Sequence, residues 1–199
     1  MAIEKLDTQI RQEQIAEAAL SLVGSQGMKD LSIAGVARRV GLVPSGIYRH
    51  FRSKDEVLDA ALDLIGSRLL NNVATACSKS SDSLECLKLL LMGHVRLIRE
   101  NEAIPRLVFS DEVYGGHPAR KAKIHGIITR YLGEVAKIVR EGQKKGQIRT
   151  DVDPDTISVM FLGIIQPGAI LWHLSGEKFD VTKHAERAWR VLRETLEIQ

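Results

Sequence analysis

LSIAGVARRVGLVPSGIYRHFRSKDE, residues 31–56, contains two short helical patterns, a glycine between them and the capped start of a third helix. Ser32 is placed to cap the first helix, because a serine oxygen accepts one of the N–H groups that a first helical turn leaves unpaired. Ile33, Val36, Ala37 and Val40 then recur at three and four residues, which sets them on one buried stripe. Gly41 supplies the turn, since a helix end commonly needs positive φ, and Arg38 and Arg39 in the last turn suit the negative end of the helix dipole. The second helix begins near Val43 or Pro44, because a proline at the first helical position loses no hydrogen bond. Ile47 and Phe51 are its expected core pair, leaving Ser45, Gly46, Arg49 and part of Tyr48 to face outward. After Arg52, Ser53 and Glu56 have the spacing of a capping box, so Lys54 falls in the first turn of a new helix. The stretch reads as a helix-turn-helix.

Charge points the same way. Between Asp30 and Lys54 the basic residues Arg38, Arg39, Arg49, Arg52 and Lys54 stand against Asp30 alone, a net of +4, whereas the whole chain carries only +3. The positive excess is thus concentrated on the segment whose shape fits a major groove, the pattern of a nucleic-acid binder.

These residues resemble the DNA-binding domain of the TetR family of transcriptional regulators over about residues 10–60, and the ending Tyr48-Arg49-His50-Phe51-Arg52-Ser53-Lys54 is the specific part. The resemblance implies that Tyr48, His50 and Lys54 clamp DNA phosphates and that Pro44, Ser45, Gly46 and Arg49 face base edges; Ser32 and Arg38 complete the expected DNA-binding set. Two positions depart from the family pattern. Val43 stands where many members have Ser or Thr, so Pro44 must define the helix start. Gly35 stands where an acidic residue is common, and a helical glycine costs about 1 kcal/mol relative to alanine, so a somewhat loose domain is expected.

With 199 residues, 44% of them hydrophobic, the chain can bury a substantial core. No apolar run is read as approaching the roughly 20 residues of a membrane span, and the polar start MAIEKLDTQIRQEQ lacks an apolar signal core, so a cytoplasmic protein is expected. Cys77 and Cys86 are spaced unlike any metal knuckle and are expected as free thiols, buried and inert, with a redox switch as the alternative.

Residues 1–9 read as a frayed arm and about Thr8–Ser25 as a helix with the stripe Ile15, Ala18, Ala19, Leu22 and Val23, stopped by Gly27. A long helix is expected over about 54–76, shared between an N-terminal domain, residues 1–53, and a C-terminal bundle, residues 54–199. The boundary SKSSDS, residues 78–83, is followed by a helix with Asp82 and Glu85 as caps, ending near Asn101. Ile104–Val113 reads as a short helix, Pro118–Lys145 as a long one, Asp153–Ser175 as one with a kink or a short break near Gln166 at Pro167-Gly168, and Val181–Ile198 as an amphipathic one. No strand-type alternation appears. The fold class is all-α: a helix-turn-helix three-helix domain joined by a long helix to a C-terminal helical bundle.

The helix over Ile157–Leu174 is apolar almost all round and needs partners on more than one side. The resemblance implies a homodimer through the last two helices, which suits a palindromic operator read by two recognition helices about 34 to 36 Å apart. It also implies a small-molecule pocket in the bundle; the candidates are Leu64, His94, Phe109, Tyr114, His125, Tyr131, Phe161, Gln166 and Trp172, with the Pro167-Gly168 break as its centre. His94, Asp111, Glu112, His117 and His125 lack the spacing of a metal motif, and no nucleophile elbow or phosphate loop is present, so neither metal, cofactor nor enzyme activity is expected. The expected function is a repressor released from DNA by a small inducer. The alternatives are a regulator with the same DNA domain acting without inducer, as an activator or through a protein partner, and, from another class, a helical-bundle enzyme.

Overall fold

The computed structural model describes residues 2–101, 104 and 117–198, with residues 2–6 described in backbone only. Eight α-helices and no strand occur among the described residues: α1 Ala2–Gln26, α2 Ile33–Val40, α3 Pro44–Ile47, α4 Lys54–Lys79, α5 Ser83–Glu100, α6 Pro118–Lys144, α7 Pro154–Leu174 and α8 Val181–Leu196, with a 3-10 turn at Met28–Asp30. The chain divides into two compact units, Met1–Ser67 with Asn101–Ile124, and Arg68–Glu100 with His125–Gln199.

The first unit is built by local signals. α2 starts where the Ser32 hydroxyl accepts from Gly35 N–H at 3.1 Å. It ends at Gly41, φ 75°, where Gly41 N–H reaches Arg38 O and Leu42 N–H reaches Ala37 O, the paired closing bonds of a left-handed helix cap. Val36 and Ala37 are buried, while Ile33 and Val40 at the edges of the stripe are half-buried. α1 buries Ile15, Ala18, Ala19, Leu22 and Val23, and Ala16 and Leu20 widen that face. It begins at Ala2, which corrects the expected frayed arm: no glycine or proline lies between residue 2 and Gly24, and the polar residues there are good helix formers.

Gly35 is half-buried for a reason that the sequence hides. A Cβ there would stand 2.9 Å from Leu22 Cδ2 and 3.1 Å from the capping oxygen of Ser32, so the glycine permits the close approach of α1 to the start of α2.

The second unit packs the end of α4 with α5, most of α6, α7 and α8 around Leu87, Leu91, Tyr131, Val135, Phe161, Trp172 and Trp189. α5 is capped by Asp82, whose carboxylate accepts from Glu85 N–H at 2.8 Å. Asp153 caps α7 in the same way through Thr156. α7 runs through Pro167 as one helix, so of the two expected outcomes near Gln166, a kink or a short break, the break does not occur. The ring leaves Gly163 O, four residues back, without its usual donor, and at the neighbouring carbonyl His184 of α8 donates from Nε2 to Ile164 O at 3.2 Å. α8 passes so close that a Cβ on Gly168 would meet His184 Cδ2 at 3.0 Å.

α7 is long and apolar enough to cross a bilayer by length and composition alone, a run longer than the sequence reading allowed for. Part of it is the buried face of the second core. Its remaining face exposes Val159, Met160, Ile170, Leu171 and Leu174, and Val191 of α8 and Ile198 after it are exposed too.

Candidate nucleic-acid interface and bundle cavity

α3 is one turn of helix, shorter than its sequence suggests. Val43 has no capping side chain, so the start rests on Pro44 alone. Beyond Ile47 the winding continues as turns, with Tyr48 N–H to Pro44 O at 3.3 Å and Phe51 N–H to Ile47 O at 3.0 Å. Ile47 is fully buried and Phe51 nearly so, which fixes the inner face. The outer face follows from the winding: Pro44, Ser45 and Arg49 are exposed, Tyr48 is 56% exposed, and Gly46 and His50 are half-buried. Gln12 of α1 donates to His50 O at 3.4 Å, and the His50 Nδ1 is buried with no hydrogen-bond partner among the described residues.

Arg38, Arg39, Arg49, Arg52 and Lys54 carry the positive charge of this segment, and none of them makes an ion pair among the described residues. The acids beside them are occupied. Glu56 accepts from Arg52 N–H at 2.7 Å, while its own N–H donates to Ser53 Oγ at 3.2 Å; the box closes one residue earlier than the simple pattern, on Arg52 rather than Ser53. Asp55 accepts from Arg120 at 2.8 Å and Asp59 from the same guanidinium at 3.1 Å. The Arg120 hydrogen bond holds the Asp55 carboxyl below its ordinary range. Lys54 therefore stands in a field from which its nearest carboxylates are partly withdrawn, and the surface presents net positive charge with Tyr48 and Arg49 exposed on the turns that follow α3.

Arg120 is 4% exposed, and nothing in its local sequence marks it. It lies in the first turn of α6, where the helix dipole disfavours a cation, and its partners are sixty or more residues away.

In the second unit the candidate pocket residues are scattered. His94 and Tyr131 are buried against each other, Nδ1 to hydroxyl 2.9 Å, rings perpendicular with centroids 5.2 Å apart. Burial pushes His94 down to about 4 and the Tyr131 phenol up. Phe161 is core, Gln166 is half-buried and His125 is exposed, while Leu64, half-buried, belongs to the first unit. Trp172 borders a cavity of about 400 Å³ with Arg99, Phe179 and Thr182. Phe109 and Tyr114, with the expected helix beyond Ile104 and the acids Asp111 and Glu112, lie outside the described residues. No group of three or more His, Cys, Asp or Glu is placed to hold a metal among the described residues.

A larger cavity, about 590 Å³, opens elsewhere in this unit, between the end of α4, the link Ser80–Ser83, the start of α5 and the middle of α6. Leu70, Val73 and Ile138 give it an apolar wall; Arg130, Glu134, Lys137, Glu141 and Lys145 line the polar side. None of His94, His125, Tyr131, Phe161, Gln166 and Trp172 borders it. The spacings 70, 73, 74, 77 on α4 and 130, 134, 137, 138, 141 on α6 are helical faces that a search for paired faces would have found.

The cysteines are free, but the expected burial holds for Cys86 and not for Cys77, and their spacing concealed that the fold brings them together. Cys77 is exposed, Cys86 is buried, and both border the cavity with their sulfurs 2.7 Å apart.

Comparison with known proteins covers nearly the whole chain. The family profile described as bacterial regulatory proteins, tetR family, matches residues 15–61, and that of the YsiA-like protein C-terminal region matches residues 65–195. The nucleoid occlusion factor SlmA of Idiomarina loihiensis is 21% identical over 186 residues, 94% of this chain and 95% of that protein. Among solved structures, the transcriptional regulator FadR of Bacillus subtilis in complex with stearoyl-CoA superposes with a TM-score of 0.78 at 20% identity, covering 92% of this chain and 97% of that one. SmeT, the repressor of the Stenotrophomonas maltophilia multidrug efflux pump SmeDEF, does so at 0.75 and 17% identity, covering 97% and 93%.

Proposed function

The chain belongs to the TetR family of bacterial DNA-binding transcriptional regulators, and from that premise we propose that it is a homodimeric cytoplasmic repressor, released from a palindromic operator by a small molecule held in its C-terminal bundle. The observation that carries the DNA half of the reading is the exposure of Tyr48 and Arg49 beside the buried anchors Ile47 and Phe51, with Lys54 opening the next helix, in a segment whose cations have no ion-pair partner among the described residues. Tyr48, His50 and Lys54 hold phosphates, and Pro44, Ser45, Gly46 and Arg49 meet base edges.

The dimer half rests on the apolar surface of Val159, Met160, Ile170, Leu171 and Leu174, with Val191, on the last two helices. An exposed patch of this kind marks an interface, and a two-fold partner would cover it with the same patch of its own. One recognition helix makes few base contacts, and pairing doubles them.

The effector half rests on the 590 Å³ cavity, which is within the size range of small-molecule sites. Its apolar wall and its charged side suit an amphipathic ligand. FadR, which shares the fold, holds stearoyl-CoA, and SmeT is a repressor. A ligand shifts such a protein only through its preference for one state, and several kcal/mol of preference suffice.

Selection of binding sites from a random duplex pool with the full chain tests the reading. An inverted repeat with half-sites about 34 to 36 Å apart should be enriched, and sedimentation should give twice the chain mass. A monomer, or a chain that ignores duplex DNA at low ionic strength, would end the proposal.

A further inference from the structure

Cys77 lies in the last turn of α4 and Cys86 in the first turns of α5, nine residues apart across the Ser80–Ser83 link. Their sulfurs are 2.7 Å apart against about 2.05 Å in a disulfide, so the fold holds the two thiols against each other. The two differ in access. Cys77 is exposed and Cys86 is buried, and the cavity they border admits molecules far larger than a peroxide. We propose that Cys77 and Cys86 form a peroxide-oxidisable dithiol that closes to a disulfide tying the end of α4 to the start of α5. The proposal does not depend on the DNA or effector readings.

The roles follow from exposure. Cys77, as thiolate, attacks one oxygen of hydrogen peroxide; an S–O bond forms, the O–O bond breaks, and the departing hydroxide takes a proton to become water. Cys77 is then a sulfenic acid. The Cys86 sulfur gives up its proton and attacks the Cys77 sulfur; the S–S bond forms, the S–O bond breaks, and the second hydroxide leaves as water. In sum two thiols and one peroxide give one disulfide and two waters, the two electrons passing from sulfur to oxygen. Burial, together with the adjacent Cys77 thiol, pushes the Cys86 thiol up, with the Lys145 ammonium pulling weakly the other way. Cys86 is thus the resolving sulfur and not the first to react.

Trypsin separates the pair, because cleavage after Arg68, Lys79 and Lys88 places Cys77 in peptide 69–79 and Cys86 in peptide 80–88. The reduced full chain is treated with hydrogen peroxide, digested without reductant and mapped by mass spectrometry. The expected result is a link between peptides 69–79 and 80–88 within one chain, broken on adding dithiothreitol. In Cys86→Ser, or Cys86→Ala if the serine variant misfolds, Cys77 should persist as a sulfenic acid that dimedone captures; in Cys77→Ser, Cys86 should stay reduced at the same dose. Survival of both thiols in the wild-type chain overturns the proposal, as does a link joining two chains through Cys77 or equal oxidation of Cys86 with and without Cys77.

Discussion

Acid should find its weak point at His94. The ring is fully enclosed in the second core, its Nδ1 2.9 Å from the Tyr131 hydroxyl, and burial lowers its pKa from the ordinary 6.5 to about 4. In the unfolded chain the same ring takes up a proton near pH 6.5. Above that pH both states hold it neutral and the stability is fully present; as the pH falls toward 4, only the unfolded state gains the proton, and stability is lost. The full gap corresponds to about 3 kcal/mol, of which about 2.5 kcal/mol falls between pH 7.5 and pH 4.5. Carboxylates titrate in the lower part of this window as well, so the measurement is a difference. Urea unfolding followed by circular dichroism, in half-unit steps of pH, is compared between the wild-type chain and His94→Gln, which keeps a polar partner for Tyr131 but cannot titrate. The two stability curves should converge as the pH falls. Curves that stay parallel to within about 0.5 kcal/mol would mean that the imidazole is protonated within the fold or reached by water, and the reasoning from burial would be wrong.

Gly35→Ala should fail to deliver the stabilisation of about 1 kcal/mol that helix propensity alone promises, because the new Cβ would press on Leu22 and on the Ser32 cap; a melting temperature raised by the full amount refutes this. Asp55→Asn and Asp59→Asn should each cost less than about 1 kcal/mol, since the other carboxylate still meets Arg120, whereas the double variant should cost more than their sum by upwards of about 0.5 kcal/mol; additivity in a double-mutant cycle would show that the two acids do not share the cation. Lys54→Ala should weaken binding to every duplex and flatten the salt dependence by about 0.9 in slope for each phosphate left without its cation. Arg49→Ala should relax preference at one position in each half-site, and uniform weakening across sequences would reassign Arg49 to the phosphates.

What is legible in the sequence is what neighbours in the chain decide. Ser32, Gly41, Pro44 and Ser53 act within four residues of themselves, so the cap, the left-handed turn and the helix start are readable, and the structure has each of them. The features that escape are contacts between distant segments. Nothing beside Arg120 announces Asp55 and Asp59. Pro167 reads as a kink or a break from its own chemistry, and no local signal tells that α8 packs beside it, with His184, seventeen residues later, donating to Ile164 O. His94 and Tyr131 stand out as polar rings on inward faces, yet only the fold reveals that each has the other as its hydrogen-bond partner. The cysteine spacing looks uninformative because the Ser80–Ser83 link folds the two ends together, and spacing along a chain says nothing of such a return.

The closure of the box at the head of α4 has a mechanical consequence. Glu56 grips the Arg52 amide while Ser53 grips the Glu56 amide, and Phe51 immediately before them is anchored to Ile47 through its own N–H. From Ile47 to Glu56 the chain is tied at three successive points by hydrogen bonds. On the proposed reading, a small rotation of the first turn of α4 carries the Tyr48–Arg49 face with it through these bonds, and lengthening this joint by a single glycine should weaken that coupling.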